Sequence, residues 1–419
     1  MSETKRWVRP FFTIYIGQAF SLIGSSAVQF SILWWITLET GSAMALTLAS
    51  VAGLLPQAVI GPFAGVWVDR FNRKWVMILA DWVSAVASLL LFVTFFFGTP
   101  TVWFIYLVLF LRALGETFHK PALSAAVPQL VPAGELTRAG GLGQVVSSLC
   151  TIAGPMLGAL MMSVTSLQYA MLVDVAGAIL AVGTLALIRL PSPTRKEADK
   201  NNVLADMKLG FAEFRRNKPL RAVFLPVFLA TLVFVPLGTL FPLMIREFFH
   251  GTAWHNGMVQ TVFSMGMLLG AGIIGVTGGL KKQFRMISFA IMALGVCSLL
   301  SGFLTGDMFW LFCALVLLMG VSGMSFNIPF VSYVQRTVPQ EHMGKVLSII
   351  TSILSYAAPV GMFVAGPVSE QISVGKWMVV AGVLTISIGI LCFLRTNRYD
   401  RSASTGVQNS AISTGEFIP

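Results

Sequence analysis

The stretch Gly65-Val66-Trp67-Val68-Asp69-Arg70-Phe71-Asn72-Arg73-Lys74 places a cluster of charges between two long apolar runs. Only 11% of the 419 residues are charged, so this cluster marks a short polar connection. The apolar runs on either side, 44–67 and 75–97, are long enough to cross a bilayer, since a spanning helix needs about 20 residues. The stretch therefore predicts a tight turn between two membrane helices.

The composition of the whole chain excludes a soluble globular protein. Hydrophobic residues make up 56% of the sequence and mean hydropathy is +0.81, more apolar surface than one or two soluble cores can bury. The four cysteines lie in apolar runs at wide spacing. This spacing indicates small hydrophobic side chains rather than disulfides or metal ligands.

Twelve continuous apolar segments have the length of a membrane-spanning helix. Because they are continuously apolar instead of alternating, they favour helices over a β-barrel. The first follows a short basic N-terminus without a small-residue cleavage site, so we expect a retained helix rather than a signal peptide. The sequence thus predicts an all-α integral membrane protein with spans at 11–38, 44–67, 75–97, 101–119, 139–162, 168–189, 221–246, 255–279, 286–305, 308–333, 344–369 and 375–395.

Lysines and arginines are distributed unevenly among the predicted loops. With the N-terminus inside, all of the 28 fall on the cytoplasmic side except Arg112, Arg246 and Lys376. This bias predicts a multi-pass protein whose two termini are both cytoplasmic. It also explains the net charge of +11, so no nucleic-acid partner is expected.

The sequence divides into two similar halves. Phe118-His-Lys-Pro121 is echoed by Phe326-Asn-Ile-Pro329 about half a chain later. Two pseudo-symmetric six-helix bundles around a central cavity predict transport by alternating access. The predicted parts are a first bundle, a cytoplasmic linker, a second bundle and a polar, disordered cytoplasmic tail, at 1–190, 191–219, 220–395 and 396–419.

The linker carries apolar side chains at helical spacing. They predict a short amphipathic helix on the inner membrane face. A merely solvated linker is the alternative. The residues concerned are Leu204, Met207, Phe211 and Phe214.

Four charged residues fall inside predicted helices, where a charge is costly and is a functional candidate by default. Arg112 and Glu116 are one turn apart on one face and can partly neutralise each other, as a coupling pair or a structural one. Asp81 either faces the Asp69 loop or titrates during transport. Asp174 is a candidate to attract a cationic substrate or carry a proton, and a packing residue is the alternative.

Amide and aromatic residues in helices one and seven are candidates for the lining of a substrate cavity. Their mixture suits a large, mostly apolar substrate with few polar groups. Membrane phenylalanines also commonly face lipid or pack between helices. The candidates are Gln18, Gln29, Phe30, Phe228, Phe234 and Phe241.

Three motifs resemble those of the major facilitator superfamily. The opening stretch matches its G-x-x-x-D-R-x-x-R-K loop, which implies a cytoplasmic gate formed by Gly65, Asp69, Arg70, Arg73 and Lys74. The run Arg112-Ala-Leu-Gly115 resembles the motif of helix four, whose arginine is implicated in proton coupling. The triplet Gly154, Pro155 and Gly158 resembles the G-P-x-x-G antiporter motif, which favours export over uptake.

A narrower resemblance is to the macrolide-efflux branch of the drug:proton antiporters, and it extends over essentially all twelve helices. It implies proton-driven export of a macrolide or similar amphiphilic drug from a bacterial inner membrane, by a chain that acts as a monomer without a cofactor. Siderophore exporters share the same build, so export of a siderophore or another endogenous metabolite is the alternative. The second half departs from the loop motif, because Gly275–Lys282 contains no acid. The segments that carry the resemblance are Gly17–Ala19, Thr40–Met44, Phe118–Leu123, Leu130–Pro132 and Leu240–Leu243.

A membrane enzyme and a channel are weaker interpretations. The four histidines are placed in loops, without the spacing of metal ligands, and they are His119, His250, His255 and His342. No P-loop motif is present, so ATP is not expected to drive this chain directly. Two repeats with a motif-bearing gate favour a carrier over a channel. We therefore expect neither enzymatic activity nor a bound metal.

Overall fold

The protein is helical throughout the residues that its structure, a computed structural model, describes: 7–188, 203–280 and 282–414. Twelve of the thirteen α-helices in these residues are long and apolar enough to cross a membrane, which confirms the predicted all-α membrane fold. The exception is the short helix α7. The helices are α1 (Val8–Thr40), α2 (Ala43–Arg70), α3 (Arg73–Thr94), α4 (Val102–Leu130), α5 (Leu136–Val164), α6 (Leu167–Ala186), α7 (Val203–Arg216), α8 (Lys218–Glu247), α9 (Ala253–Thr277), α10 (Gln283–Ser301), α11 (Phe309–Thr337), α12 (Gln340–Ile372) and α13 (Val374–Thr414).

Two turns in the first half are fixed by their own residues. Between α1 and α2, Gly41 adopts a left-handed φ of 57° and its amide donates to the Thr37 carbonyl. Ser42 then caps α2 by accepting a hydrogen bond from the Ala45 amide at 3.1 Å. Between α2 and α3, Asn72 caps α3 by accepting from the Lys74 amide at 2.9 Å. The polar stretch is thus a tight turn between two membrane helices, as predicted.

The described residues form two compact units. The first contains α1 to α6 together with 239–261 and 362–371, which belong to α8, α9 and α12. In this unit α1 and α6 pack closely because each presents a glycine to the other. A Cβ on Gly24 would lie 3.1 Å from the Val173 carbonyl oxygen, and one on Gly177 would lie 3.1 Å from that of Phe20. Small residues permit such helix approach in membranes.

Helix α4 extends to Leu130, eleven residues beyond the end that the sequence predicts. The prediction stopped before Pro121, but this proline and Pro128 both lie inside the helix. After Pro121, the side chains of Ala122 and Ala126 are fully buried in a core shared with α2, α3 and α6. That packing holds the helix together beyond the proline, since neighbouring helices can compensate for its missing hydrogen bond.

The second unit contains 203–238, 262–361 and 372–414 of the described chain. Its first helix, α7, lies in the linker, where the sequence predicts a short helix. A Cβ on Gly210 would lie 2.9 Å from the Lys345 carbonyl oxygen, so α7 packs against α12. Phe214 is buried against Phe224, with ring centroids 5.0 Å apart, while Phe211 is half exposed. The side chains of Leu204 and Met207 lie outside the described part.

The last helix differs from the sequence prediction of a tail that begins at residue 396. Helix α13 continues to Thr414, and it packs against α10. The Asp400 carboxylate accepts hydrogen bonds from the backbone amides of Phe284 at 3.4 Å and Arg285 at 2.9 Å. Arg285 in turn donates to Asn397 at 3.1 Å. A carboxylate at the amino-terminal end of α10 interacts favourably with the helix dipole. This contact holds α13 against α10 as far as Asp400.

Candidate functional site

Polar side chains in the first unit, most of them buried, form two clusters that share helices α1, α3 and α4. We call the first the arginine layer, composed of Ser25, Ser88, Arg112 and Asp174, and the second the histidine layer, composed of Gln18, Ser21, Asp81 and His119. On α1, α3 and α4 a residue of one layer is seven positions from a residue of the other. Seven residues are two helical turns, so the layers are separated by about 10.5 Å along the helices.

The arginine layer contains a buried ion pair. Arg112 on α4 and Asp174 on α6 form a salt bridge, with exposed fractions of 6% and 2%. The Asp174 carboxylate also accepts hydrogen bonds from the hydroxyls of Ser25 at 2.6 Å and Ser88 at 2.7 Å. Arg112 Nη2 donates to the Ser25 carbonyl at 3.0 Å. Both carboxylate oxygens are therefore occupied, and one network joins α1, α3, α4 and α6.

The predicted pairing of Glu116 with Arg112 is not what the structure shows. Glu116 Oε1 lies 2.7 Å from Lys120 Nζ, and both side chains are more than half exposed. Arg112 instead pairs with Asp174 of α6 and also donates to the Ser88 hydroxyl and the Ser25 carbonyl.

The histidine layer surrounds a second buried carboxylate. Asp81 is 6% exposed, and its Oδ1 accepts a hydrogen bond from the Ser21 hydroxyl at 3.1 Å. Its Oδ2 accepts a longer bond from Gln18 Nε2 at 3.4 Å. His119 Nε2 lies 3.6 Å from Oδ1, beyond the usual hydrogen-bond range of about 2.7–3.2 Å. Among the described residues, His119 Nε2 and Gln18 Oε1 are buried without a hydrogen-bond partner.

Two of these residues differ from their predicted places. His119 was grouped with the loop histidines although it ends the predicted span 101–119, but it lies well inside α4 and is buried, because the helix continues through Pro121. Gln18 was assigned to the cavity lining, but it is 1% exposed and bonded to Asp81. The close approach of α3 and α4 brings the layer together, since a Cβ on Gly115 would lie 2.8 Å from the Ala80 carbonyl oxygen.

The stretch Gly65–Lys74 contacts α4 and α6 at one end of the first unit. Lys74 Nζ donates hydrogen bonds to the carbonyls of Ala186 at 3.2 Å and Ile188 at 2.9 Å, so it caps the carboxyl end of α6. Trp67 stacks on Phe118 of α4, with ring centroids 5.8 Å apart. Lys74 thus has a local structural contact as well as its predicted place in the gate motif. The Asp69 side chain lies outside the described part.

The G-P-x-x-G motif lies where α5 packs against two other helices. A Cβ on Gly158 would lie 2.6 Å from the Ala27 carbonyl oxygen of α1, and one on Gly154 would collide with Ser26. On another side, a Cβ on Gly257 of α9 would lie 3.3 Å from the Pro155 carbonyl oxygen. The glycines of the motif therefore set the distance between α5 and α1.

The predicted cavity residues have different environments. Phe30 and Phe241 are each 3% exposed, so both side chains are packed inside the first unit. Phe228 and Phe234 of α8 are partly buried and belong to the second unit, where Phe234 contacts Phe263 with ring centroids 6.2 Å apart. Gln29 is also partly buried. Of the six candidates, only Phe228, Phe234 and Gln29 keep accessible surface that a substrate could contact.

Two charged residues bracket the turn between α1 and α2, which the sequence analysis did not anticipate. Arg246 of α8 donates a hydrogen bond to the Thr37 carbonyl near the end of α1. Glu370 of α12 accepts hydrogen bonds from the Ser42 hydroxyl at 3.1 Å and the Met44 amide at 3.0 Å at the start of α2. A cation at a carboxyl end and a carboxylate at an amino end both complement the helix dipoles.

Comparison with known proteins agrees with this architecture. Residues 14–362 match the model of the Major Facilitator Superfamily. Macrolide efflux protein A of Streptococcus pyogenes is 37% identical over 398 residues, which cover 94% of this chain and 97% of that protein. Multidrug efflux pump Tap of Mycolicibacterium fortuitum is 26% identical over 407 residues, covering 93% and 96%. The crystal structure of nucleoside transporter NupG has the same fold, with a TM-score of 0.75 at 14% identity and coverage of 92% and 98%.

Proposed function

The chain belongs to the major facilitator superfamily, and from that membership we propose that it is a proton-coupled exporter of amphiphilic drugs, above all macrolide-type antibiotics. Members of this family are transporters rather than enzymes, and this chain is a multi-pass membrane transporter of small molecules. The proposal adds the substrate, the direction and the driving ion.

The observation that carries the choice of substrate is the similarity to macrolide efflux protein A, which extends over nearly the whole of both chains. Because the similarity covers 94% of this chain, it extends over the membrane helices from which a substrate cavity would be built. Gln29, Phe228 and Phe234 are the proposed lining residues. Two aromatic rings and one amide suit a large, mostly apolar molecule with few polar groups.

Proton coupling is proposed from the buried carboxylates of the first unit. Asp81 and Asp174 are 6% and 2% exposed inside membrane-spanning helices. A carboxyl group in that environment must either be paired with a cation or carry a proton. Arg112 pairs with Asp174, so protonation of that carboxylate would release the arginine and disturb four helices at once. Glu116 is proposed to act more weakly, because its charge is balanced by Lys120 on an exposed surface.

The gate and the orientation complete the proposal. The lysine and arginine bias supports cytoplasmic termini in a bacterial plasma membrane. The stretch from Gly65 to Lys74 then lies on the cytoplasmic side, where we assign it to the gate that closes when the transporter faces outward. The close contact of Gly158 with α1 supports the antiporter motif as a packing site that such a movement must preserve. The chain is proposed to act as a monomer.

A drug-susceptibility panel tests the substrate and the coupling together. Bacteria that express the chain would be exposed to macrolides, tetracyclines, dyes and siderophores, beside cells with Arg112→Ala, Asp174→Asn or Glu116→Gln. We expect resistance to macrolides with the wild-type chain, its loss in the first two variants, and much of it retained in Glu116→Gln. Wild-type sensitivity to every drug contradicts the proposal, and so does resistance that survives collapse of the proton gradient.

A further inference from the structure

We infer that His119 and Asp81 form the proton-binding pair of this transporter, an inference that rests on the proposed proton coupling. His119 is not among the residues that the sequence motifs point to. Its place becomes visible only from the course of α4 and from the separation of the two polar layers.

The histidine layer has unused hydrogen-bonding capacity at a titratable pair. His119 Nε2 and Asp81 Oδ1 are 3.6 Å apart, a few tenths of an ångström beyond hydrogen-bonding distance. Among the described residues, neither His119 Nε2 nor Gln18 Oε1 has a hydrogen-bond partner, although both atoms are buried. Buried polar atoms are usually satisfied, so the layer has room for one more hydrogen bond between His119 and Asp81. One added proton on His119 would turn this contact into a charge-assisted hydrogen bond to Asp81.

The arginine layer is unsuited to the same task while its ion pair is intact. Asp174 accepts bonds from Ser25 and Ser88 in addition to its salt bridge with Arg112. An arginine does not lose its proton in proteins, so this pair keeps its two charges when water is excluded. Histidine, in contrast, changes its charge at physiological pH. The histidine layer can therefore gain a proton while its packing is intact, whereas Asp174 can do so only after its ion pair with Arg112 has opened.

The charges around the histidine layer cancel one another. On α4, the described groups near His119 are Arg112, Glu116 and Lys120, and on α6 the group near Asp81 is Asp174. From α1 the layer receives only the amide of Gln18 and the hydroxyl of Ser21. On α2, the Asp69 side chain lies outside the described part.

Because Arg112 balances Asp174 and Lys120 balances Glu116, the proton on the His119–Asp81 pair decides the net charge of the described groups around it. With one proton the pair is neutral overall, as histidinium and carboxylate or as imidazole and carboxylic acid. Without it, Asp81 is an uncompensated buried anion, which is costly in a membrane protein. Proton uptake from water therefore favours the closed packing, and release to water requires that the layer be opened.

Reconstituted transporter in liposomes tests the pair. With the membrane potential clamped at zero and one pH unit across the membrane, exchange of one proton per drug supports about tenfold accumulation, because a pH unit is worth about 1.4 kcal/mol. We expect this accumulation in the wild type and none in His119→Gln. Exchange of labelled for unlabelled drug needs no net proton movement, so it should persist in the variant, but with a weaker dependence on pH than in the wild type.

Controls separate the inference from the proposed function. His255→Gln removes a histidine that hydrogen-bonds within its own turn, to Thr252, and should leave accumulation and the pH profile unchanged. If His119→Gln does not insert, Asp81→Asn provides the same comparison. If the wild type is driven by protons but His119→Gln keeps the wild-type accumulation and pH profile, the inference is overturned and the proposed function stands. Wild type that ignores the pH gradient overturns the proposed function and the inference with it.

Discussion

Replacement of Asp174 by asparagine should be the most destabilising isosteric change in the first unit. The variant leaves Arg112 as a buried charge without its counter-ion, 6% exposed. Removal of one partner from a buried ion pair typically costs about 3–5 kcal/mol. Asparagine keeps one acceptor oxygen for either Ser25 or Ser88, but its amide group presents donors to the other serine and to Arg112. We therefore expect a loss near the upper end of that range.

A double-mutant cycle separates the contribution of the Arg112–Asp174 ion pair to stability from nonspecific destabilisation by each substitution. Arg112→Gln alone should also destabilise the protein, but together with Asp174→Asn it leaves two neutral amides that can bond each other. We expect the double variant to be less destabilised than the sum of the two single variants by about 2–3 kcal/mol, the upper end of the coupling between contacting residues, because this pair is buried. Glu116→Gln is the matched control, because its exposed pair with Lys120 contributes at most about 1 kcal/mol.

The assay is the fraction of detergent-purified transporter that remains monodisperse after heating, measured by fluorescence-detected size exclusion. Asp174→Asn and Arg112→Gln should lower the apparent melting temperature clearly, the double variant less than their sum, and Glu116→Gln hardly at all. Equal melting temperatures for Asp174→Asn and Glu116→Gln would refute the buried ion pair as a stabilising element.

Two further predictions concern packing and the α1–α2 turn. Gly158→Ala should destabilise the transporter and lower drug export, because the new Cβ would lie 2.6 Å from the Ala27 carbonyl oxygen, whereas Gly65→Ala meets open space and should leave stability unchanged. Equal stabilities would contradict this packing. Glu370→Gln should weaken the two hydrogen bonds that hold the start of α2, so Met44→Cys, which keeps both bonds, should react faster with a maleimide in that background than in the otherwise wild-type chain. An unchanged labelling rate would contradict the role of Glu370.

The twelve membrane helices could be predicted from the sequence because the features that indicate them lie within short segments of the chain. Each run is continuously apolar over the length of a bilayer, and the charged stretch at 65–74 stands out against it. The motif turn between α2 and α3 was found for the same reason. The end of α4 was not, because Pro121 is locally a helix breaker and only tertiary packing of Ala122 and Ala126 shows that the helix continues.

The partners of the buried charges could not be predicted from the sequence. Spacing of one turn suggested Glu116 for Arg112, but the observed partner, Asp174, is 62 residues away on another helix. Depth in the membrane can be estimated from residue counts, whereas the rotation of each helix depends on packing by residues such as Gly24 and Gly177. His119 was overlooked because the predicted helix ended at this residue, so its burial in the middle of a packed helix was not expected. A buried histidine seven residues after Arg112 would have been the signal, had α4 been extended.

The central claim is that macrolide export is exchanged for protons, and drug-induced proton movement tests it most directly. Liposomes that contain the purified chain and a trapped pH-sensitive dye would receive a macrolide on one side, with no pH gradient imposed at the start. We predict a proton flux opposite to the drug flux, saturable in drug, and absent in liposomes without protein. Drug transport with no accompanying change of pH in the lumen would contradict the account.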